Sequence, residues 1–229
     1  MPVIEVIACS VSDAIEAQRG GAARLELIRD FERGGLTPPL KLVEDILAAV
    51  TVPVRVMLRE EEGYEVESEA AIERLCAGAR GLSKLNIDGL VLGFLREGEI
   101  DVPLTWRVLS SAPNLPATFH HAFEDVENQF DAIRTLKRLD QVDRILTSGG
   151  SGGWSNKVTR LSGYVEEANP EIQILAGGGM NEQSIRTICQ ATTIREFHVG
   201  RAARVPSSAA GVVQAAQVRA LVEALRESG

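Results

Sequence analysis

Short apolar runs alternate with helix-period segments along the whole chain, and this alternation narrows the available folds more than any other feature. The runs are Val3–Ala8, Arg24–Ile28, Val52–Leu58, Gly89–Gly93, Ala117–His120, Arg144–Thr147, Ile172–Ala176 and Glu196–Val199, most of them four to seven residues rich in Val, Ile or Leu. Strands covered on both faces read this way because neither face meets water. Amphipathic segments fill the gaps. Ser10 or Ser12 caps a helix bearing Val11, Ala14 and Ile15, and Pro39 opens another with a stripe of Leu42, Val43, Ile46 and Leu47. Ala70–Leu82, Val126–Leu139, Lys157–Ala168, Glu182–Gln190 and Val212–Arg226 have comparable spacing, and Pro103–Ser111 is the least regular segment. Gly20-Gly21 and Gly81 mark expected helix ends.

Eight strands alternating with eight helices is the count of a closed barrel. An open doubly wound sheet usually has fewer strands, and neither a dinucleotide-binding GxGxxG after the first strand nor a P-loop signature supports it. No Pro/Ser-rich linker divides the chain, so residues 1–229 are read as a single-domain parallel (β/α)8 barrel of the TIM type, an α/β fold. Hydrophobic residues at 45% supply its core, and a formal net charge of −8 without a polybasic run argues against nucleic-acid and membrane surfaces. No apolar stretch reaches the ~18 residues of a membrane span. The opening MPVIEVIACS lacks a signal peptide's charged region, so a cytoplasmic location is expected. Cys9, Cys76 and Cys189 show no CxxC spacing, which indicates neither a disulfide framework nor structural zinc.

Alternate side chains of a barrel strand enter the lumen, and those at its carboxyl end face the mouth where barrel active sites lie. Glu5 and Glu26 stand inside the first two strands, each flanked by aliphatic residues. Buried together, two carboxylates need a cation or hydrogen bonds to remain ionised, and Arg24, Arg59 or a metal ion are the available partners. They form either a network that fixes strand register or an acid–base group of raised pKa. The three histidines are His120 and His121 at the end of strand five and His198 at the end of strand eight. Glycine-rich turns follow strand six, including Gly149, and strand seven, with Gly177, Gly178 and Gly179. Such turns expose N–H groups to an anion, and Arg201 is placed to pair with it. The plainer alternative is tight turn geometry, with Asn181 capping the next helix. These residues suit isomerase or lyase chemistry on a small anionic or phosphorylated substrate, with His120 as acid or base and Glu5 or Glu26 tuning it. A non-catalytic scaffold with a polar lumen is the third reading.

Strand-end motifs in the order IEVIACS, GGAARLEL, GGLTP, VPVRVMLR, DGLVLGFL, ATFHHAFE, RILTSGG, ILAGGG and EFHVGRAAR resemble the copper homeostasis protein family CutC up to about residue 204. The resemblance implies a TIM-type barrel and cytosolic copper handling, with Cu(I) held by cysteines that end strands one and two. Those positions are Ile7 and Ile28 here, and isoleucine offers no soft donor. Cys9, on the same face as position 7, is left as the candidate metal ligand, with Met57 or His120 to assist it. The chain also has Arg59-Glu60-Glu61 where the family shows R-P-R, and His120-His121 with Glu124 where it shows His-Arg and a later Asp. Copper binding and acid–base catalysis on a small anion are therefore both open, and a homodimer is the preferred assembly.

Overall fold

The computed structural model describes residues 2–228. Eight parallel strands close into one barrel in sequential order, each hydrogen-bonded to its chain neighbours and the eighth to the first. They are β1 Val3–Ala8, β2 Arg24–Leu27, β3 Val54–Met57, β4 Gly89–Leu92, β5 Ala117–Phe119, β6 Val142–Thr147, β7 Gln173–Ala176 and β8 Glu196–Val199. The helices between and after them are α1 Val11–Gly20, α2 Leu40–Ala49, α3 Glu69–Leu82, α4 Val102–Leu109, α5 Gln129–Leu136, α6 Trp154–Ala168, α7 Glu182–Ala191 and α8 Ala215–Arg226. Among the described residues, no helix is long and apolar enough to cross a membrane.

Local chemistry sets the element ends. Ser10 rather than Ser12 caps α1, its hydroxyl accepting the Asp13 N–H at 3.1 Å. Asp101 accepts the Leu104 N–H at 3.0 Å and so starts α4, the segment whose pattern is least regular. Asn181 and Ser184 form a reciprocal capping box on α7. Gly21 closes α1 at φ 95°. Gly81 departs from expectation: it is helical within α3, and Ser83 forms the cap. Val212 does not begin the last helix either, because Val212–Val213 pairs antiparallel with Arg204–Val205 and α8 starts at Ala215. A second short hairpin, Leu95–Arg96 with Glu99–Ile100, follows β4. Two-residue ribbons of this kind leave too short a pattern to read from periodicity.

Alternation then sorts the strand side chains. Val6, Leu25, Leu27, Val54 and Val56 join the main core between barrel and helices. Their neighbours in sequence enter the lumen, where charge is paired across strands. Arg24 pairs closely with Glu5 and donates to Glu196 at 2.9 Å, and Arg144 reaches Glu196 at 2.8 Å. Arg55, 1% exposed, donates to Asp143 at 2.6 Å, to Asp88 at 3.0 Å and to Thr118 at 2.8 Å. Of the two glutamates and two arginines considered from the sequence, the ladder holds Glu5 and Arg24 but neither Glu26 nor Arg59, and its ions are buried as pairs, the condition under which ions survive burial.

Helix α1 approaches α8 so closely that a Cβ on Gly20 would sit 2.5 Å from Val218 Cβ and 2.7 Å from the Ala215 carbonyl. Helix propensity alone favours Gly20→Ala by about 1 kcal/mol, whereas the clash with backbone should cost about 1–3 kcal/mol. Urea unfolding should show net destabilisation; a more stable variant would mean that the two helices part without cost.

Candidate functional site

Above the ion ladder the lumen opens at the carboxyl end of the strands into a cavity of about 520 Å³. One wall is apolar, made of Ile7, Ile28 and Met57, with Phe31 packed against them. Glu26, His120, His121, His198, Arg59 and Arg201 supply most of its charged and titratable lining.

Parallel register places Glu5 beside His198 and Ile7 beside Glu26, which stands His198 between two carboxylates. Its Nδ1 lies 2.8 Å from Glu5 Oε1 and its Nε2 lies 3.4 Å from Glu26 Oε2. All three are buried, and Glu26 Oε1 has no hydrogen-bond partner among the described residues. The two carboxyls therefore behave oppositely. Burial pushes Glu5 up, but the Arg24 guanidinium and the His198 ring outweigh it and hold Glu5 well below the usual carboxylate range. Burial also pushes Glu26 up, and with no arginine in contact it rises to about 7, opposed by His198 and reinforced by Glu5. For His198, burial favours the neutral ring, yet Glu26 and Glu5 together raise its pKa above the ordinary value.

His120 ends β5 on another wall. Gly93 makes room for its ring, since a Cβ there would lie 2.5 Å from Nδ1, and Tyr64 tilts against it at 5.2 Å between centroids. Nδ1 accepts the Ala122 N–H at 3.2 Å, and Nε2 has no partner among the described residues. Burial first, then the Arg59 guanidinium and the neighbouring His121 ring, lowers its pKa to about 3. The ring expected to act as acid or base is thus held neutral.

The remaining sequence candidates divide. Arg59 reaches the cavity but contacts neither glutamate as a partner; it donates to the Gly63 carbonyl at 3.3 Å and stacks over Tyr64 at 5.0 Å. Arg201 lies over Phe31 at 5.7 Å and lines the cavity with Gly178 and Gly179. Gly177 packs just outside the lining, where a Cβ would come 2.4 Å from Leu146 Cδ1. Gly149 is turned away, against α6, and a Cβ there would lie 2.9 Å from the Lys157 carbonyl. Glu124 clamps the loop after β6, accepting from Thr147 at 2.9 Å and Ser148 at 3.2 Å, and lies 3.4 Å from His121 Nδ1. Burial would raise its pKa, but His121 and the Ser148 and Thr147 donors bring it to about 2. Sequence reading missed Tyr64 and Phe31, loop residues without a periodic signal, and gave Asn181 only its capping role although it also lines the cavity.

Glu5, Glu26 and His198 each present a donor atom within 4.8 Å of the others, a hard-to-borderline set for a divalent cation. Glu5 is already engaged by Arg24 and His198, which leaves Glu26 and His198 Nε2 to face a ligand. A Cu(I) centre does not fit the donors near Cys9. That thiol is half-buried and pushed up to about 11 by burial, only partly opposed by Arg204. The Arg204 guanidinium lies 3.6 Å from its sulfur and repels a second cation, while Ile7 and Ile28 complete an apolar surface.

Fold and site together define a (β/α)8 barrel with a histidine–carboxylate row at its C-terminal mouth. The profile of the CutC family matches residues 3–203, and the chain belongs to that family. It is 34% identical over 197 residues to the human copper homeostasis protein cutC homolog, covering 86% of this chain and 72% of the relative. It is 33% identical over 211 residues to a family protein CutC of Xanthomonas axonopodis pv. citri, covering 89% and 87%. The crystal structure of the putative copper homeostasis protein CutC from Streptococcus agalactiae superposes with a TM-score of 0.79 at 28% identity, over 87% of this chain and 98% of that one.

Burial favours the protonated form of Glu26, so its contribution to stability is full below its ordinary value of 4.5 and is lost as pH rises through about 7. His198, also raised, loses its contribution in the same direction. Glu26→Gln, permanently neutral, escapes its share. Urea unfolding should find variant and wild type similar near pH 5 and the variant ahead by on the order of 2 kcal/mol at pH 8. A gap independent of pH would contradict the raised Glu26.

Proposed function

We propose that the chain is an acid–base enzyme acting on a small anionic molecule. The observation that carries this reading is the Glu5–His198–Glu26 row, whose last residue lines a cavity of about 520 Å³ and keeps one buried carboxyl oxygen without a partner among the described residues. A carboxyl that titrates near neutrality exchanges protons with a substrate at little cost in either direction. Glu5, kept ionised by Arg24, orients His198 through Nδ1, and His198 in turn stabilises the carboxylate of Glu26 once it has given up its proton. Arg59 and Arg201 bring positive charge to the mouth, and Gly178 and Gly179 let an anion approach the backbone there. The names of the human and streptococcal relatives connect them with copper homeostasis. In this chain that role would lack the thiolate pair at positions 7 and 28, and the acid–base reading uses the residues actually present.

A thermal-shift screen of small carboxylated and phosphorylated metabolites, with anaerobic Cu(I) as a separate arm, tests the proposal. A ligand at saturating concentration should raise Tm by about 5 °C or more. Arg201→Ala should weaken that ligand, and Glu26→Gln should bind it without turning it over. The proposal fails if no anion stabilises the protein, or if Cu(I) alone does so and Cys9→Ala removes the effect.

A further inference from the structure

We propose that His120 is a neutral hydrogen-bond donor for a carbonyl oxygen, which makes the substrate class a small anionic carbonyl compound with a C–H beside the carbonyl. This deepens the acid–base reading and rests on it.

The tautomer follows from one backbone contact. An amide N–H only donates, so the Ala122 N–H 3.2 Å from His120 Nδ1 requires a lone pair there and places the ring proton on Nε2. That Nε2 belongs to a residue 4% exposed which lines the cavity, and it has no partner among the described residues. Buried donors are rarely left unpaired, and one on a side chain that lines a cavity calls for an acceptor brought by a ligand. The ring is held between neighbours on two sides and a glycine that leaves it room. Tyr64 and Phe119 flank it at 5.2 and 6.2 Å, and the Cα of Gly93 sits where any side chain would strike it. Burial, Arg59 and His121 keep it uncharged at neutral pH, so it remains a donor without becoming an acid.

Position supplies the other half. His120 ends β5, three strands round the barrel from β2, which carries Glu26, and three from β8, which carries His198. A molecule in the cavity therefore meets the donor on one wall and the base on another. The Glu26 carboxylate takes a proton from the carbon beside the carbonyl. The C–H electron pair forms a C=C bond, the carbonyl π pair moves to oxygen, and the His120 N–H holds the resulting oxyanion. Where the carbon that lost the proton also bears a hydroxyl, the hydroxyl proton passes to the oxyanion, and the oxygen that loses it forms the new carbonyl. The C=C pair takes the proton back from Glu26 at the former carbonyl carbon, which completes an isomerisation with no other reactant. Donors aimed at a developing oxyanion rank among the largest contributions to catalysis.

The test uses the whole chain with 15N-labelled histidine, and glycolohydroxamate and oxalate as enolate-like probes. NMR of the ligand-free protein should show His120 neutral, protonated on Nε2, from pH 5 to 8. A probe should move its Nε2 resonance. Probe affinity should fall tenfold or more in His120→Leu but by no more than about threefold in His120→Gln, which keeps an N–H near the same place. A ring protonated on Nδ1, a charged ring at pH 6, or equal affinity in wild type and His120→Leu would overturn the assignment. If inorganic phosphate binds through Arg201 while both probes fail, the anionic acid–base site stands and the role of His120 falls. If none of these anions binds, both fall. The tautomer measurement on wild type remains decisive even if His120→Leu does not fold.

Discussion

The ion pair between Arg24 and Glu5 is the contact on which the mouth of this barrel depends. A carboxylate as deeply buried as Glu5 would, without a partner, take up a proton or cost several kcal/mol. Arg24 removes that choice, and Arg24 is itself tied through Glu196 to Arg144. Because Glu5 stays ionised, it holds His198 by Nδ1 and turns Nε2 toward Glu26 and the cavity. The lower lumen thus does structural work for the upper one: paired charge below fixes the position of incompletely paired groups above.

The two glutamates show how little separates a structural group from a chemical one. Both stand on adjacent strands, both are almost wholly buried, and both contact His198. Glu5 has an arginine and is driven down; Glu26 has none in contact and is driven up to about 7. Neighbouring acids pushed apart by their surroundings are the usual sign of divided roles. His120 adds a third condition, a ring kept neutral by burial and by nearby positive charge. No single one of these states defines a site, but together around one cavity they give a base, its tuning partner and a fixed donor.

Much of this was legible in the residues. Strand alternation and the rule that barrel chemistry gathers at carboxyl ends brought Glu5, Glu26, His120 and His198 to one end of the fold, although Glu5 and His198 are 193 residues apart. What alternation does not give is direction beyond the strand. Arg59 was a plausible partner for either glutamate, yet its loop turns the guanidinium onto Tyr64. Gly149 shares its glycine-rich character with Gly178 and Gly179, but helix α6 packs against it and only the other two face the cavity. Loop courses of this kind are set by long-range contacts that leave no local period. The tautomer of His120 depends on one backbone N–H two residues on, a contact invisible until the turn after β5 is seen.

Membership of the CutC family and the chemistry of this particular mouth are separable, since Ile7, Ile28 and Met57 make an apolar wall where the family's resemblance implied thiolates. The central claim is that Glu26 and a buried, ionised Glu5 together raise His198, with Glu5 also orienting its ring. It is tested most directly by an NMR pH titration of His198 in the wild type and in Glu5→Gln. The wild-type ring should titrate above an ordinary histidine, and Glu5→Gln should bring it down. A wild-type ring that titrates below the ordinary value, or one indifferent to Glu5→Gln, would contradict the claim.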